Sequence, residues 1–184
     1  MFAWYVSVAL AGGGLIPTEW VRPPIVVLCP GAPVTWQQVR DQLDAWEAHG
    51  APYLPLVQPK RCDNPRQRDR AFIVGKRSAW APWEPNVLGY TYHSPDANEG
   101  FALEDWARIE LRSDDLGVLR HELGHLWFGH VEGPHVMSPY KSEADPDGWE
   151  GVPEAFAKLR RPAQAPVALG RVARQESAWY DQPD

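Results

Sequence analysis

Apolar positions near the start of the chain follow first a strand pattern and then a helix pattern. Residues 25–29 (IVVLC) form a mostly β-branched run between two prolines, which predicts a buried strand. Apolar residues then recur at helical spacing, which predicts a helix over Trp36, Val39, Leu43 and Trp46. Thr35 and Gln38 are spaced as a capping box at its start, and Gly50 stands where a C-terminal cap belongs.

Strand patterns return in the middle of the chain. Short apolar segments are predicted as further strands at residues 53–57, 71–75, 88–93 and 106–111. Asp115 and its polar neighbours then offer capping side chains for a helix that runs toward Gly129, and a last helix is predicted from Pro153 to a point before Pro162. The order of these elements predicts an α/β (α+β-like) fold, in which helices pack on a twisted, mostly parallel sheet.

Composition and charge narrow the class of protein. The chain has 184 residues and a formal net charge of −6, which suits one domain and gives no general attraction to nucleic acid. Its 19 prolines, 15 glycines and 10 tryptophans predict many turns and a core anchored by aromatic side chains. We therefore expect one domain over residues 24–161, with no nucleic-acid partner. The oligomeric state is left open.

The two ends of the chain carry weaker patterns. The apolar run from Met1 to Pro17 is too short and too interrupted by glycine to span a bilayer as a helix, so residues 1–23 fit a docking arm or a signal-like segment. Residues 162–184 show no clear period and are expected to form a C-terminal tail. Cys29 and Cys62 permit one disulfide, and whether they pair is left open. A secreted or particle-associated location is favoured over a cytoplasmic one.

Candidate chemistry is concentrated in the predicted central helix, in the string His121-Glu122-Leu123-Gly124-His125. Residues four apart share a helix face, so the imidazoles of His121 and His125 can converge on one metal ion. The leucines of this segment fall on roughly the opposite face, which suits a helix that is buried on one side and faces a cleft on the other. Glu122 stands beside the metal and suits a general base for water activated by zinc.

A catalytic zinc site needs a third protein ligand and an open fourth position. His130 is the first candidate, because a chain reversal at Gly129 would return its imidazole to the metal. The other candidates lie further along the chain: Glu132, His135, Glu150 and Glu154.

The segment HELGHLWFGH followed by HVMSPY resembles the metzincin clan of zinc endopeptidases, and within it the matrixin-like branch. The order of predicted elements over roughly residues 24–160 is similar to that of the clan. The resemblance implies that His121, His125 and His130 bind zinc and that Glu122 is the general base. It also implies that Met137 lies in a turn that supports the metal.

The match departs from the clan pattern at the third ligand. The pattern places glycine three residues and histidine six residues after the second histidine, whereas Gly129 and His130 follow His125 by four and five residues. His130 stays the preferred ligand, because FGH followed closely by VMSP resembles the local order of the family. Tyr140 is a candidate to stabilise the oxyanion, although a packed aromatic side chain is the simpler interpretation.

A second resemblance leads to a different third ligand. HELGH with Glu150 and Glu154 downstream is similar to ImmA-type regulatory metallopeptidases, which would make Glu150 the ligand. A third hypothesis is a structural or assembly module in which the metal only stabilises the fold.

The favoured function is a zinc-dependent endopeptidase that acts on a protein or peptide substrate. If the family arrangement holds, the strand at residues 88–93 lies at the sheet edge and pairs with an extended substrate.

Overall fold

The described elements follow one another as a strand, a helix, four strands, two helices and a final strand. The computed structural model describes residues 20, 23–62, 69–75, 87–93, 106–131, 133–138, 144–159 and 176–180. The strands are β1 (Ile25–Leu28), β2 (Leu56–Val57), β3 (Arg70–Gly75), β4 (Val87–His93), β5 (Trp106–Leu111) and β6 (Glu176–Tyr180). The helices are α1 (Trp36–Ala48), α2 (Leu116–Gly124) and α3 (Val152–Leu159).

All of these strands belong to one sheet, in the order β2-β1-β3-β5-β4-β6. The first four strands in this order, β2, β1, β3 and β5, pair in parallel. Strand β4 runs antiparallel to both of its neighbours, β5 and β6. The prediction of an α/β protein with helices on a mixed sheet is therefore confirmed. Strand β2 is shorter than the predicted segment 53–57, because Pro55 has no N–H to donate and contributes only its carbonyl, which accepts from the Val26 amide at 2.8 Å.

The expectation that residues 88–93 form the sheet edge is wrong. Strand β6 pairs with the outer side of β4, from Val87 opposite Tyr180 to Tyr92 opposite Glu176. This strand comes from the segment predicted as a tail. Its sequence, ESAWY, lacks the regular alternation that marks a strand with one buried face, so periodicity did not reveal it.

Trp46 lies at the centre of the main core, between the helices and one face of the sheet. It is fully buried with Val39 and Leu43, as the helical spacing predicts, whereas Trp36 remains 41 % exposed. The indole Nε1 of Trp46 donates to the Arg120 carbonyl at 3.0 Å, which ties α1 to α2. The rings packed around Trp46 are those of Trp127, Phe128, Trp149 and Phe156.

A smaller apolar cluster, which includes Val27, Phe72 and Val74, packs separately from the main core. Cys29, directly after β1, forms a disulfide with Cys62 in the connection before β3. The pairing that the sequence left open is therefore present. It closes a loop of the unfolded chain between the two cysteines, which stabilises the fold by lowering the entropy of the unfolded state.

None of the helices in the described ranges is both long enough and apolar enough to cross a membrane.

Candidate metal centre

Helix α2 presents the candidate histidines at its C-terminal end. Asp115 is the N-cap, and its side chain accepts from the amides of Gly117 at 2.9 Å and Val118 at 3.1 Å. Leu119 and Leu123 are buried in the main core, as predicted, while Leu116 in the first turn is 40 % exposed. The cap thus sets where the helix begins, and the buried leucines set its rotation.

The helix ends earlier than the sequence predicts. The sequence predicts a helix that runs toward Gly129 and a chain reversal there, but α2 ends at Gly124 and Gly129 has no positive φ. The amides of Leu126 and Trp127 bond three residues back, to the carbonyls of Leu123 at 3.0 Å and Gly124 at 2.9 Å.

Hydrogen bonds to other parts of the chain replace the helical pattern after this point. The Leu126 carbonyl accepts from the Trp20 indole at 2.6 Å, and the Val131 amide donates to the Met137 carbonyl at 2.9 Å. Residues 126–128 are buried in the main core, and the chain beyond them brings His130 to the other histidines.

The imidazoles of His121 and His125 face each other through their Nε2 atoms. The Nδ1 of His121 lies 3.1 Å from the Val136 carbonyl, and the Nδ1 of His125 lies 2.9 Å from the Phe128 carbonyl. A carbonyl only accepts, so each Nδ1 must carry the proton, and in the neutral ring each Nε2 then presents a lone pair. The two Nε2 atoms are 3.0 Å apart, close to the roughly 3.3 Å expected for two nitrogens on one tetrahedral zinc.

His130 completes the cluster. Its ring centroid lies 5.3 Å from that of His121 and 4.8 Å from that of His125. One ligand atom from each of the three histidines falls within 4.8 Å of the others. Within the described part of the chain, the buried Nε2 of His130 has no hydrogen-bond partner. These three imidazoles can therefore hold a metal ion.

Burial favours the uncharged form of the His121 and His130 imidazoles. Desolvation lowers the pKa of His130 to about 4. It lowers the pKa of His121 well below its ordinary value, and repulsion from His130 acts in the same direction. Neutral imidazole is the form that binds metals, so the cluster is ready to bind an ion at neutral pH without releasing protons from these two rings.

His135, an alternative ligand, is used differently. Its Nδ1 accepts from the Met137 amide at 3.0 Å, and its Nε2 lies 3.1 Å from the Glu150 carbonyl. Both ring nitrogens are therefore engaged by the backbone, and the imidazole holds the turn at residues 133–138 instead of facing the cluster.

The turn at residues 133–138 packs directly against α2. Met137 is fully buried, and its sulfur occupies the space that a Cβ on Gly124 would need, 2.2 Å from that position. The Met137 carbonyl accepts from the Val131 amide at 2.9 Å, and the adjacent Val136 carbonyl accepts from His121. The turn thus orients one histidine of the cluster and packs under the helix that carries two of them.

Glu122 is buried between α2 and β4. The Thr91 hydroxyl lies 2.5 Å from its Oε2, to which it donates, and 3.2 Å from the Glu122 backbone carbonyl. Among the described residues its Oε1 has no hydrogen-bond partner. Desolvation raises the pKa of the Glu122 carboxyl to about 8, against the lowering effect of the Thr91 hydrogen bond.

Gly89 makes room for this carboxylate. A Cβ at Gly89 would lie 2.5 Å from Glu122 Oε1 and 2.7 Å from its Cγ. No motif in the sequence marks Gly89 or Thr91 as part of the site. A glycine inside a predicted strand is the available signal, since it often marks a close approach of another group.

The remaining candidates lie outside the cluster or outside the described residues. The side chains of Glu150 and Glu154 are exposed, and neither belongs to the histidine group. Glu132 and Tyr140 lie outside the residues that the structure describes.

Comparison with models of known protein families gives no match, and comparison with curated protein sequences gives none either. The case for a function therefore depends on the site itself.

Proposed function

We propose that this protein is a zinc-dependent endopeptidase of the metzincin type. The observation that carries the proposal is the convergence of three imidazoles, those of the buried His121 and His125 and the half-buried His130, on the helix end that also carries the buried Glu122. A histidine trio with an adjacent glutamate is the donor set of a catalytic zinc site, in which a fourth position stays open for substrate and water.

The chemistry of the donors supports zinc. The ligands are imidazoles, which suit zinc and its neighbours in the transition series better than calcium or magnesium, which prefer oxygen. Backbone carbonyls fix the Nδ1 protons of His121 and His125, as outer partners of zinc-bound histidines commonly do. Bound zinc would supply Lewis acidity that polarises a peptide carbonyl and makes water more acidic.

Glu122 is the proposed general base. It takes a proton from the attacking water and delivers it to the leaving nitrogen of the cleaved peptide bond. Thr91 holds one oxygen of the carboxylate, and Gly89 leaves the space in which the group lies. A divalent ion on the neighbouring histidines would favour the ionised form, which is the form that accepts a proton.

Features around the site support the metzincin resemblance. The described elements begin with a strand, a helix, four strands and α2, which is the order on which the resemblance rests. In the sheet, β4 runs antiparallel to the strands beside it. The buried Met137 in a turn beneath α2 fits the position of a methionine turn. The Cys29–Cys62 disulfide supports an oxidising compartment, and with it the proposed secreted or particle-associated location.

The proposal is tested by metal analysis together with cleavage of an unstructured protein. The purified chain is expected to hold about one zinc and to cleave internal peptide bonds. Glu122→Ala should keep the metal and lose roughly 10²-fold or more of the activity, the usual contribution of a general base. Glu154→Ala is the control, because this exposed carboxylate lies on α3 outside the histidine group.

Each failure has its own meaning. A chain that holds no zinc and takes none up on reconstitution removes the whole proposal. A chain that holds zinc but cleaves nothing, with Glu122 intact, is a metal-stabilised structural module. Normal cleavage by Glu122→Ala excludes Glu122 as the base.

A further inference from the structure

The outer side of β4 is occupied by a segment of the same chain. Strand β6 runs antiparallel to β4 and pairs along it in this register: Val87 with Tyr180, Gly89 with Trp179, Tyr90 with Ala178, Thr91 with Ser177 and Tyr92 with Glu176. The opposite side of β4 pairs with β5. Both sides of β4 are therefore hydrogen-bonded, and β6 forms the edge of the sheet.

This edge adjoins the proposed catalytic group. Thr91, which bonds the Glu122 carboxylate, is opposite Ser177, and Gly89, which makes room for that carboxylate, is opposite Trp179. The backbone of residues 177–179 thus passes β4 at the level of Glu122. An extended peptide that reached Glu122 by pairing with β4 would need the same backbone groups of β4.

We infer that residues 176–180 are a resident competitor for substrate, and that an extended peptide binds antiparallel along β4 by replacing them. This inference rests on the proposed peptidase function. The partner it defines is an unfolded protein segment, recognised mainly through its main chain.

The ladder is short and irregular enough to be replaced. It has a register shift between Val87 and Gly89, and it ends at Tyr92. Edge pairings of this length are marginal by themselves and open more readily than the central strands of a sheet.

Attachment to the same chain makes up for this weakness. A tethered segment acts at an effective concentration of order mM, so a segment with an intrinsic dissociation constant of about 0.1 mM would occupy the edge with about tenfold preference. The competitor would therefore raise the apparent KM for substrate by about tenfold.

Single substitutions in the full-length chain test this. Ala178→Pro removes a main-chain N–H and fixes φ in β6, and Ser177→Pro does the same one residue earlier, where the N–H points the other way. At least one of them should release β6. Ala178→Val is the matched control, because valine keeps the N–H and favours strands.

The first measurement is kinetic, with a fluorescence-quenched unstructured peptide as substrate. The releasing variant should show about a tenfold higher kcat/KM through a lower KM, with unchanged zinc content, while Ala178→Val stays at the level of the original chain. A synthetic peptide of residues 174–184 should inhibit the releasing variant competitively. Unchanged kcat/KM in both proline variants of an active enzyme would overturn the inference.

The second measurement needs no catalysis. Hydrogen exchange of the β4 amides should accelerate in the releasing variant, while β3 and β5 stay protected, and either the synthetic peptide or the substrate peptide should restore protection. If neither chain cleaves but both peptides protect β4, the proposed reaction fails and the shared edge stands. If the substrate peptide gives no protection at β4, the inference fails.

Discussion

Two neighbouring segments of this protein, residues 121–130 and the turn at 133–138, use histidines in opposite ways. His130 and His135 both have a pKa lowered by desolvation. The backbone engages both ring nitrogens of His135, whereas the buried Nε2 of His130 has no hydrogen-bond partner among the described residues. The His135 imidazole therefore holds a turn, whereas the His130 imidazole groups with those of His121 and His125.

The difference shows what separates a ligand from a structural histidine. A lowered pKa does not distinguish the two, since both residues have one. The distinguishing feature is whether backbone groups engage both ring nitrogens or leave one available to a metal ion. A buried polar atom without a partner costs free energy, and a bound ion would recover that cost.

The largest expected effect is on zinc affinity. His130→Ala removes one of three proposed ligands and should weaken zinc binding by about 10² to 10³-fold, since a zinc site of about 10–16 kcal/mol loses roughly a quarter of its free energy. His135→Ala should change affinity by less than about tenfold. Competition against a chelator of known affinity measures both.

The two variants should rank in the opposite order when the free energy of unfolding is measured. His135→Ala leaves the Met137 amide and the Glu150 carbonyl without their partner, so the metal-free protein should lose about 1–3 kcal/mol of unfolding free energy. His130→Ala removes an imidazole whose Nε2 bonds nothing described, and should cost less. If His135→Ala alone releases the metal, the assignment of the two histidines is wrong.

Glu150→Ala separates the two family resemblances. With His130 as the third ligand, loss of the exposed Glu150 side chain should leave zinc affinity nearly unchanged. The ImmA-type interpretation requires the opposite, a strong loss in Glu150→Ala and little change in His130→Ala. The same chelator competition decides between them.

The second expected effect concerns the contact between the two segments. An added Cβ at Gly124 would lie 2.2 Å from Met137 Sδ and 2.4 Å from Trp46 Cζ2. Gly124→Ala should therefore lower the unfolding free energy by about 1–3 kcal/mol despite the better helix propensity of alanine. Denaturant unfolding of the metal-free protein measures this.

Gly117→Ala is the matched control, because Gly117 is exposed in the first turns of the same helix. It should be neutral or stabilising by up to about 1 kcal/mol. Equal destabilisation by both variants would mean that Met137 does not support the helix through this contact.

Local signals predicted much of this fold, and tertiary packing accounts for the features they missed. The Thr35–Gln38 capping box and the strands β1, β3, β4 and β5 depend on neighbouring residues, and their predictions are confirmed. The chain after α2 is held by hydrogen bonds to distant residues, such as that from the Trp20 indole to the Leu126 carbonyl, so the glycine signal at Gly129 misplaced the end of the helix. The position of β6 likewise depends on its pairing with β4, which is far away in sequence.

The candidate site also combines features predicted from neighbouring residues with features that depend on tertiary packing. A spacing of four residues brings His121 and His125 together, as predicted from helix geometry alone. Thr91 and Gly89 meet Glu122 only because α2 packs across β4, a contact between residues far apart in sequence. No local pattern could show which strand position would face the carboxylate.

The third expected effect extends the comparison to Glu122, another buried group with one atom lacking a described partner. Thr91→Val keeps the shape of the side chain and removes the hydroxyl that holds Oε2. We expect kcat to fall by about tenfold, the effect of roughly one charge-assisted hydrogen bond, with KM and zinc content unchanged. Thr91→Ser should restore most of the rate. A loss of zinc in Thr91→Val would point to a disturbed helix instead.

The smallest expected effect is the pH dependence of zinc binding. Histidines with an ordinary pKa near 6.5 are mostly protonated at pH 5.5, so a pair of them would lose about a hundredfold in zinc affinity between pH 7.5 and 5.5. Burial lowers the pKa of His121 well below that value and that of His130 to about 4. His130 is therefore already neutral at pH 5.5, and the lowered pKa of His121 favours its neutral form in the same way.

Glu122 must be removed from this measurement, because its pKa of about 8 means that zinc binding would release a proton from it and add a pH dependence of its own. In Glu122→Gln, zinc affinity should therefore fall by much less between pH 7.5 and 5.5 than the hundredfold expected for a pair of ordinary histidines. The original chain should bind zinc more tightly as the pH rises toward 8. A hundredfold loss in Glu122→Gln at pH 5.5 would show that the imidazoles titrate as exposed groups, which contradicts a buried cluster.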